Sequence, residues 1–139
     1  MNSNEQMPVI QVLLVDDHAP MRVEIRSMID REKDMTVIAE SGTGEEGVEK
    51  AAQLQPDVVI MDILLPDMSG FEATSLVRKG RSCTRVIALS NHSGPIVVKT
   101  LRSAGGSGYV LKNHAGEDLI PAIREVAAGR TFLGQHVTE

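Results

Sequence analysis

The feature that constrains this chain most is the recurrence of short, unbroken apolar runs. Val12-Leu13-Leu14-Val15, Val37-Ile38-Ala39, Val58-Val59-Ile60-Met61, Val86-Ile87-Ala88-Leu89 and Tyr109-Val110-Leu111 follow one another along 139 residues. They are rich in β-branched residues and do not alternate with polar ones, the pattern of strands buried on both faces. Helical spacing fills the intervals, as with Met21, Ile25, Met28 and Ile29 before the second run and Leu119, Ile120, Ile123, Val126 and Ala127 after the fifth. Thr43 and Glu46 predict a capping box opening the second helix, while Gly105-Gly106 and Gly129 predict the ends of the fourth and fifth. Pro121 predicts that the fifth helix begins late or bends, because its ring removes a backbone donor and crowds the preceding turn. Five β-then-α units specify an α/β fold with a doubly wound, five-stranded parallel sheet, right-handed crossovers and helices on both faces.

Composition narrows the function classes. With 42% hydrophobic and 24% charged residues the chain can bury one ordinary core. Nineteen acidic against fourteen basic side chains leave a net charge of −5, the opposite of a nucleic-acid-binding footprint. Cys83 is the single cysteine, so no internal disulfide forms. No apolar run approaches the roughly 20 residues that a bilayer requires, and MNSNEQMP lacks the basic and apolar regions of a secretory signal. The expected address is the cytoplasm. Residues 1–9 read as a leader, 10–129 as the folded domain, and 130–139 as a tail or the start of a linker.

In an open parallel sheet the functional groups gather beyond the carboxyl ends of the strands. Asp16 and Asp17 follow the first run, Asp62 closes the third, Ser90 the fourth and Lys112 the fifth. Adjacent strand ends lie about 4.8 Å apart, so these five groups share one rim. Three carboxylates together call for a cation, and an oxygen-only set suits Mg2+. Lys112 adds a positive charge and Ser90 a hydroxyl, so the rim can hold a tetrahedral anion against Asp62. This is equipment for phosphoryl transfer onto a carboxylate.

The stretches Val12 to His18, Met61 to Gly70, Leu89-Ser90-Asn91-His92 and Gly105 to Lys112 resemble, in residues, order and interval, the receiver domain of two-component response regulators. The likeness spans about residues 10 to 129 and is nearest to the NarL/FixJ (LuxR-type) group. It implies a flavodoxin-like, CheY-like (βα)5 fold and a signalling domain, not an enzyme with an external substrate, that catalyses only its own phosphorylation and dephosphorylation. By that resemblance Asp62 is phosphorylated by a partner histidine kinase. Asp17, Asp62 and the Leu64 carbonyl ligate Mg2+, and Asp16 acts through a metal-bound water. Ser90 and Lys112 contact the phosphoryl oxygens, Ser90 and Tyr109 form a conformational switch, and Leu64 and His92 tune dephosphorylation. In that group a helix-turn-helix domain normally follows, so control of transcription through DNA falls to a domain outside this chain. Self-association through this domain is a further partner expectation.

Each residue also has a plainer role. Asp16 and Asp17 alone would cap the next helix, Ser90 alone is a hydroxyl cap, Lys112 alone a surface charge and Tyr109 alone a strand aromatic. Their common register decides for the joint reading. His18, His92, His114 and His136 show neither paired helical spacing nor a neighbouring cysteine set, and read as loop or cap residues. Ile96, Val97, Val98 and Leu101 leave the fourth helix rich in apolar residues, read as core packing in preference to a partner-binding stripe. Two other functions compete: a stand-alone receiver-like module that binds proteins without phosphorylation, and an aspartyl phosphohydrolase or flavodoxin-like cofactor carrier. The intact Asp62, Ser90 and Lys112 argue against the first. The Asp16-Asp17-His18 loop argues against the second, since it is neither an aspartate-x-aspartate loop nor a hydroxyl-rich phosphate cradle.

Overall fold

The computed structural model describes residues 8–81, 83–92 and 94–137. Five β-then-α units follow in order: β1 (Ile10–Val15), α1 (Ala19–Asp30), β2 (Met35–Ser41), α2 (Gly44–Leu54), β3 (Val58–Asp62), α3 (Gly70–Gly80), β4 (Arg85–Ser90), α4 (Pro95–Ala104), β5 (Gly108–Leu111) and α5 (Ala115–Ala127). A 3-10 turn, Lys112–His114, joins β5 to α5, and a short β6 (Phe132–Leu133) is the last element among the described residues. All pairings between these strands are parallel and the strand order is β2-β1-β3-β4-β5-β6.

The absence of alternation in the apolar runs now has its cause. Along β1, Val12 and Leu14 face a core shared with Ile25, Ile29, Leu119 and Ile123, while Leu13 and Val15 face Ala51, Ala73 and Val77. Both faces of the sheet are covered, by α1 and α5 on one side and by α2 and α3 on the other. A third cluster joins Ala88 and Tyr109 to Val98 and Leu101 of α4. Val98 and Leu101 are thus core, as expected, whereas Ile96 is 79% exposed.

Two expectations need correction. The sheet has a sixth strand where only five were predicted, because Phe132 pairs with Gly108 and Leu133 with Tyr109 at the free edge of β5. The fifth helix does not begin late, at Pro121. It runs from Ala115 to Ala127 with the proline inside. An interior proline costs about 3 kcal/mol, but Leu119, Ile123 and Val126 are fully buried, each contributing about 2 kcal/mol, so packing outweighs the lost bond. The predicted caps are present. Thr43 Oγ1 accepts from the Glu46 amide at 3.1 Å, and Gly105 ends α4 in a left-handed conformation at φ 98°.

Candidate functional site

The strand register carries the rim residues to one place. Val15 pairs with Met61 and Asp62 with Leu89, so Asp16, Asp62 and Ser90 stand beyond or at adjacent strand ends, and Ser90 pairs in turn with Leu111, the neighbour of Lys112. The Lys112 ammonium donates to Asp62 Oδ2 at 3.1 Å and lies 3.5 Å from Asp16 Oδ2. The other Asp62 oxygen, Oδ1, accepts from the Leu64 amide at 3.2 Å. Asp16 and Asp62 are buried at 2% and 3% exposure, while Asp17 is exposed at the mouth. The capping role of the acidic pair is not what the fold uses. Among the described residues α1 has His18 as its N-cap, with no side-chain cap. Asp16 Oδ1 accepts only from the His18 amide at 2.8 Å, and Arg22 donates to the Asp16 carbonyl from within the helix.

Electrostatics at the rim are unbalanced. Burial, reinforced by the neighbouring Asp16 carboxylate, raises the pKa of Asp62, and the hydrogen bond and charge of Lys112 offset this only in part. Burial works against the charge on Lys112, but its hydrogen bond to Asp62 and the fields of Asp16 and Asp62 outweigh that, and its pKa is raised. Among the described residues the buried Asp16 Oδ2 accepts no hydrogen bond and has only the Lys112 ammonium as an ion-pair partner, at 3.5 Å. Asp16, Asp17 and Asp62 each offer a carboxylate oxygen, all within 4.8 Å of one another. A buried, unsatisfied oxygen in an all-oxygen donor set with surplus negative charge fits a hard divalent cation.

The response regulator receiver domain model matches residues 12–124. The chain belongs to that family. It is 35% identical over 129 residues to the nitrate/nitrite response regulator protein NarL of Escherichia coli K12, covering 91% of this chain and 59% of NarL. It is 34% identical over 128 residues to the response regulator protein VraR of Staphylococcus aureus, covering 92% of this chain and 61% of VraR. The receiver thus spans about three-fifths of the length of these curated relatives. A LuxR-family two-component response regulator from Aurantimonas sp. SI85-9A1 superposes with a TM-score of 0.88 at 32% identity, over 93% of this chain and 92% of that one. The response regulator domain of Thermotoga maritima CheB superposes with a TM-score of 0.71 at 38% identity, over 87% and 90%. The chain is a receiver domain of a two-component response regulator, and NarL, VraR and the Aurantimonas regulator are of the NarL/LuxR type.

Other predicted receiver residues fall around this rim. Ser90 Oγ accepts from the His92 amide at 3.0 Å, and the Tyr109 hydroxyl donates to the His92 carbonyl at 2.6 Å. Burial pushes the Tyr109 phenol up, with the Ser90 hydroxyl acting the other way. Tyr109 is 1% exposed, its ring packed in the cluster with Ala88, Val98 and Leu101. Leu64 is 66% exposed and His92 is exposed, both on loops at the strand ends.

Sequence reasoning gave no role to two residues that shape the loop after β3. Asp67 accepts from the Gly44 and Glu45 amides at 2.8 Å each, tying the loop after β3 to the first turn of α2. These bonds hold its carboxyl below the usual range, and their signal was the open, acidic-favouring start of a helix capped by Thr43 alone. Gly70 is the second. Its amide donates to the Ile63 carbonyl at 2.7 Å, and a Cβ there would stand 2.2 Å from the Asp62 carbonyl oxygen.

Proposed function

We propose that this receiver accepts a phosphoryl group from a sensor histidine kinase on Asp62, in the cytoplasm, and that residues 10–129 are the unit that does so. The observation that carries the reading is the buried Asp62 carboxylate held by the Lys112 ammonium at 3.1 Å beside Asp16 and Asp17. An Asp62 oxygen attacks phosphorus as the phosphorus–nitrogen bond of the kinase phosphohistidine breaks. The imidazole leaves with the bonding pair and takes its proton from solvent. Lys112 is placed to follow the charge as it spreads over the phosphoryl oxygens, and Ser90 supplies a hydroxyl to the same group. Asp16, Asp17 and Asp62, with the Leu64 carbonyl, would hold Mg2+, which would offset the negative charge gathered there.

The Ser90 hydroxyl and the Tyr109 ring share His92, one bonding its amide and the other its carbonyl. A phosphoryl group that draws Ser90 toward Asp62 withdraws an acceptor from His92, and the β4–α4 loop and Tyr109 respond together. The equilibrium shifts only as far as phosphate and output partner favour one arrangement over the other. Control of transcription would then pass to a DNA-binding domain joined after this unit. A receiver that only binds proteins has no use for the Lys112–Asp62 pair at this burial.

Incubation with Mg2+ and acetyl phosphate, read by intact mass, is expected to add one phosphoryl group to the wild type and none after EDTA. A mass unchanged in Mg2+, with a fluoroberyllate titration equally silent, contradicts the proposal. The exposed Leu64 and His92 flank the path of a hydrolytic water. Leu64→Ala with His92→Ala is expected to shorten the phosphorylated lifetime severalfold in a decay series. An unchanged lifetime removes them from that role.

A further inference from the structure

The fold brings together two histidines that the sequence left apart. His114 ends the turn after β5 and His136 lies beyond β6, yet their rings stack with centroids 3.8 Å apart and planes at 24°. Glu117, one helical turn after His114, places Oε1 4.0 Å from His114 Nδ1. One ligand atom from each of the three lies within 4.8 Å of the others. We propose that His114, Glu117 and His136 form a binding site for a borderline divalent transition ion, Zn2+ first, that staples the C-terminal segment to the start of α5.

The donor set separates this site from the acidic rim. Two imidazole nitrogens and one carboxylate oxygen suit Zn2+, Cu2+ or Ni2+, whereas an all-oxygen nest suits Mg2+. Three protein ligands and an open fourth position form an ordinary zinc arrangement. Bonds of about 2.1 Å in tetrahedral geometry need ligand atoms about 3.4 Å apart. Glu117 and His136 are exposed and His114 half-buried, so side-chain rotation can close the remaining ångström or so without displacing the core.

What such an ion would hold is a segment already laid against the switch strand. The Gly134 amide donates to the Tyr109 carbonyl at 2.9 Å, the Gln135 amide donates to buried Asp118 at 3.3 Å, and Leu133 and Val137 pack on the cluster containing Tyr109. A Cβ at Gly134 would meet Asp118 Oδ2 at 2.8 Å, so a side chain there would force Asp118 to shift. The segment is therefore seated closely but held by few bonds, and a metal bridge from His136 to His114 and Glu117 would add the missing anchor. None of the three ligands belongs to the phosphoacceptor set, so this inference stands apart from that reading.

The test is Zn2+ titration of the tag-free chain in millimolar Mg2+ by calorimetry, with amide exchange followed at Gly134. One ion per chain is expected, with slower Gly134 exchange on loading. Losing a ligand should weaken binding by at least the about tenfold typical of losing an outer-shell partner, so His114→Ala, His136→Ala and Glu117→Gln should each do so while Asp62→Asn does not. Absent uptake, or equal affinity in the His114→Ala/His136→Ala double variant, overturns the site. Binding that leaves Gly134 exchange unchanged overturns the staple.

Discussion

Asp62→Asn is expected to yield a protein that takes up no phosphoryl group and is nonetheless more stable than the wild type in Mg2+-free buffer. The loss is complete because the amide offers no anionic oxygen to phosphorus. The gain follows from the raised pKa of Asp62, whose burial beside Asp16 disfavours its charge more than Lys112 favours it. For a carboxyl raised in the folded state, the folded protein binds the extra proton between the unfolded pKa near 3.8 and the raised value. Stability falls as pH rises through that window, and above it the cost is fully present. At neutral pH the wild type carries the cost and the asparagine variant does not. Breaking a buried pair is destabilising when it leaves a charge unpaired, but Lys112 keeps the Asp16 carboxylate 3.5 Å away, so the gain is expected to show as a higher urea midpoint. Mg2+ should raise the melting temperature of the wild type more than that of the variant. A variant that unfolds more easily than the wild type without Mg2+ would show that the Lys112 pair outweighs burial and repulsion.

Gly70→Ala should be the most damaging single methyl group in the acceptor loop. The added carbon would lie 2.2 Å from the Asp62 carbonyl oxygen and 2.6 Å from Ile63 Cα, both backbone atoms that cannot rotate away. Either α3 retreats, losing the 2.7 Å bond from the Gly70 amide to Ile63, or the end of β3 moves and takes Asp62 with it. Overpacking of this kind costs about 3 kcal/mol, and phosphorylation should slow even where the variant folds. Gly80→Ala, in the same helix with open space at its Cβ, serves as the control and should leave both unchanged. Equal stability and equal phosphoryl uptake in the Gly70→Ala and Gly80→Ala proteins would refute the argument.

What the sequence made legible was whatever repeats or stands at a strand end. Runs such as Val58 to Met61 are buried on both faces, so their lack of alternation announces a covered parallel sheet. Asp62, Ser90 and Lys112 terminate such runs, and parallel register alone brings them together. The two-residue β6 was not legible, since Phe132-Leu133 has neither length nor β-branched density, and the free edge of β5 selects it. Pro121 misled because the local cost of proline is visible in sequence and the compensating burial of Leu119, Ile123 and Val126 is not. The pairing of His114 with His136 likewise depends on where β6 turns the chain, which no spacing rule anticipates. Tyr109 was expected as a switch residue, but its hydroxyl bond to the loop carbonyl of His92 is a tertiary contact that no spacing shows.

The central claim is that one carboxylate in the acidic rim, and only that one, becomes the acyl phosphate. Borohydride reduction of the chain after acetyl phosphate treatment in Mg2+ converts a phosphorylated aspartate to homoserine, which peptide sequencing by mass spectrometry then locates. Homoserine is predicted at position 62 and at neither Asp16 nor Asp17. Homoserine at either of those positions, or at none despite a phosphorylated intact mass, would contradict the account.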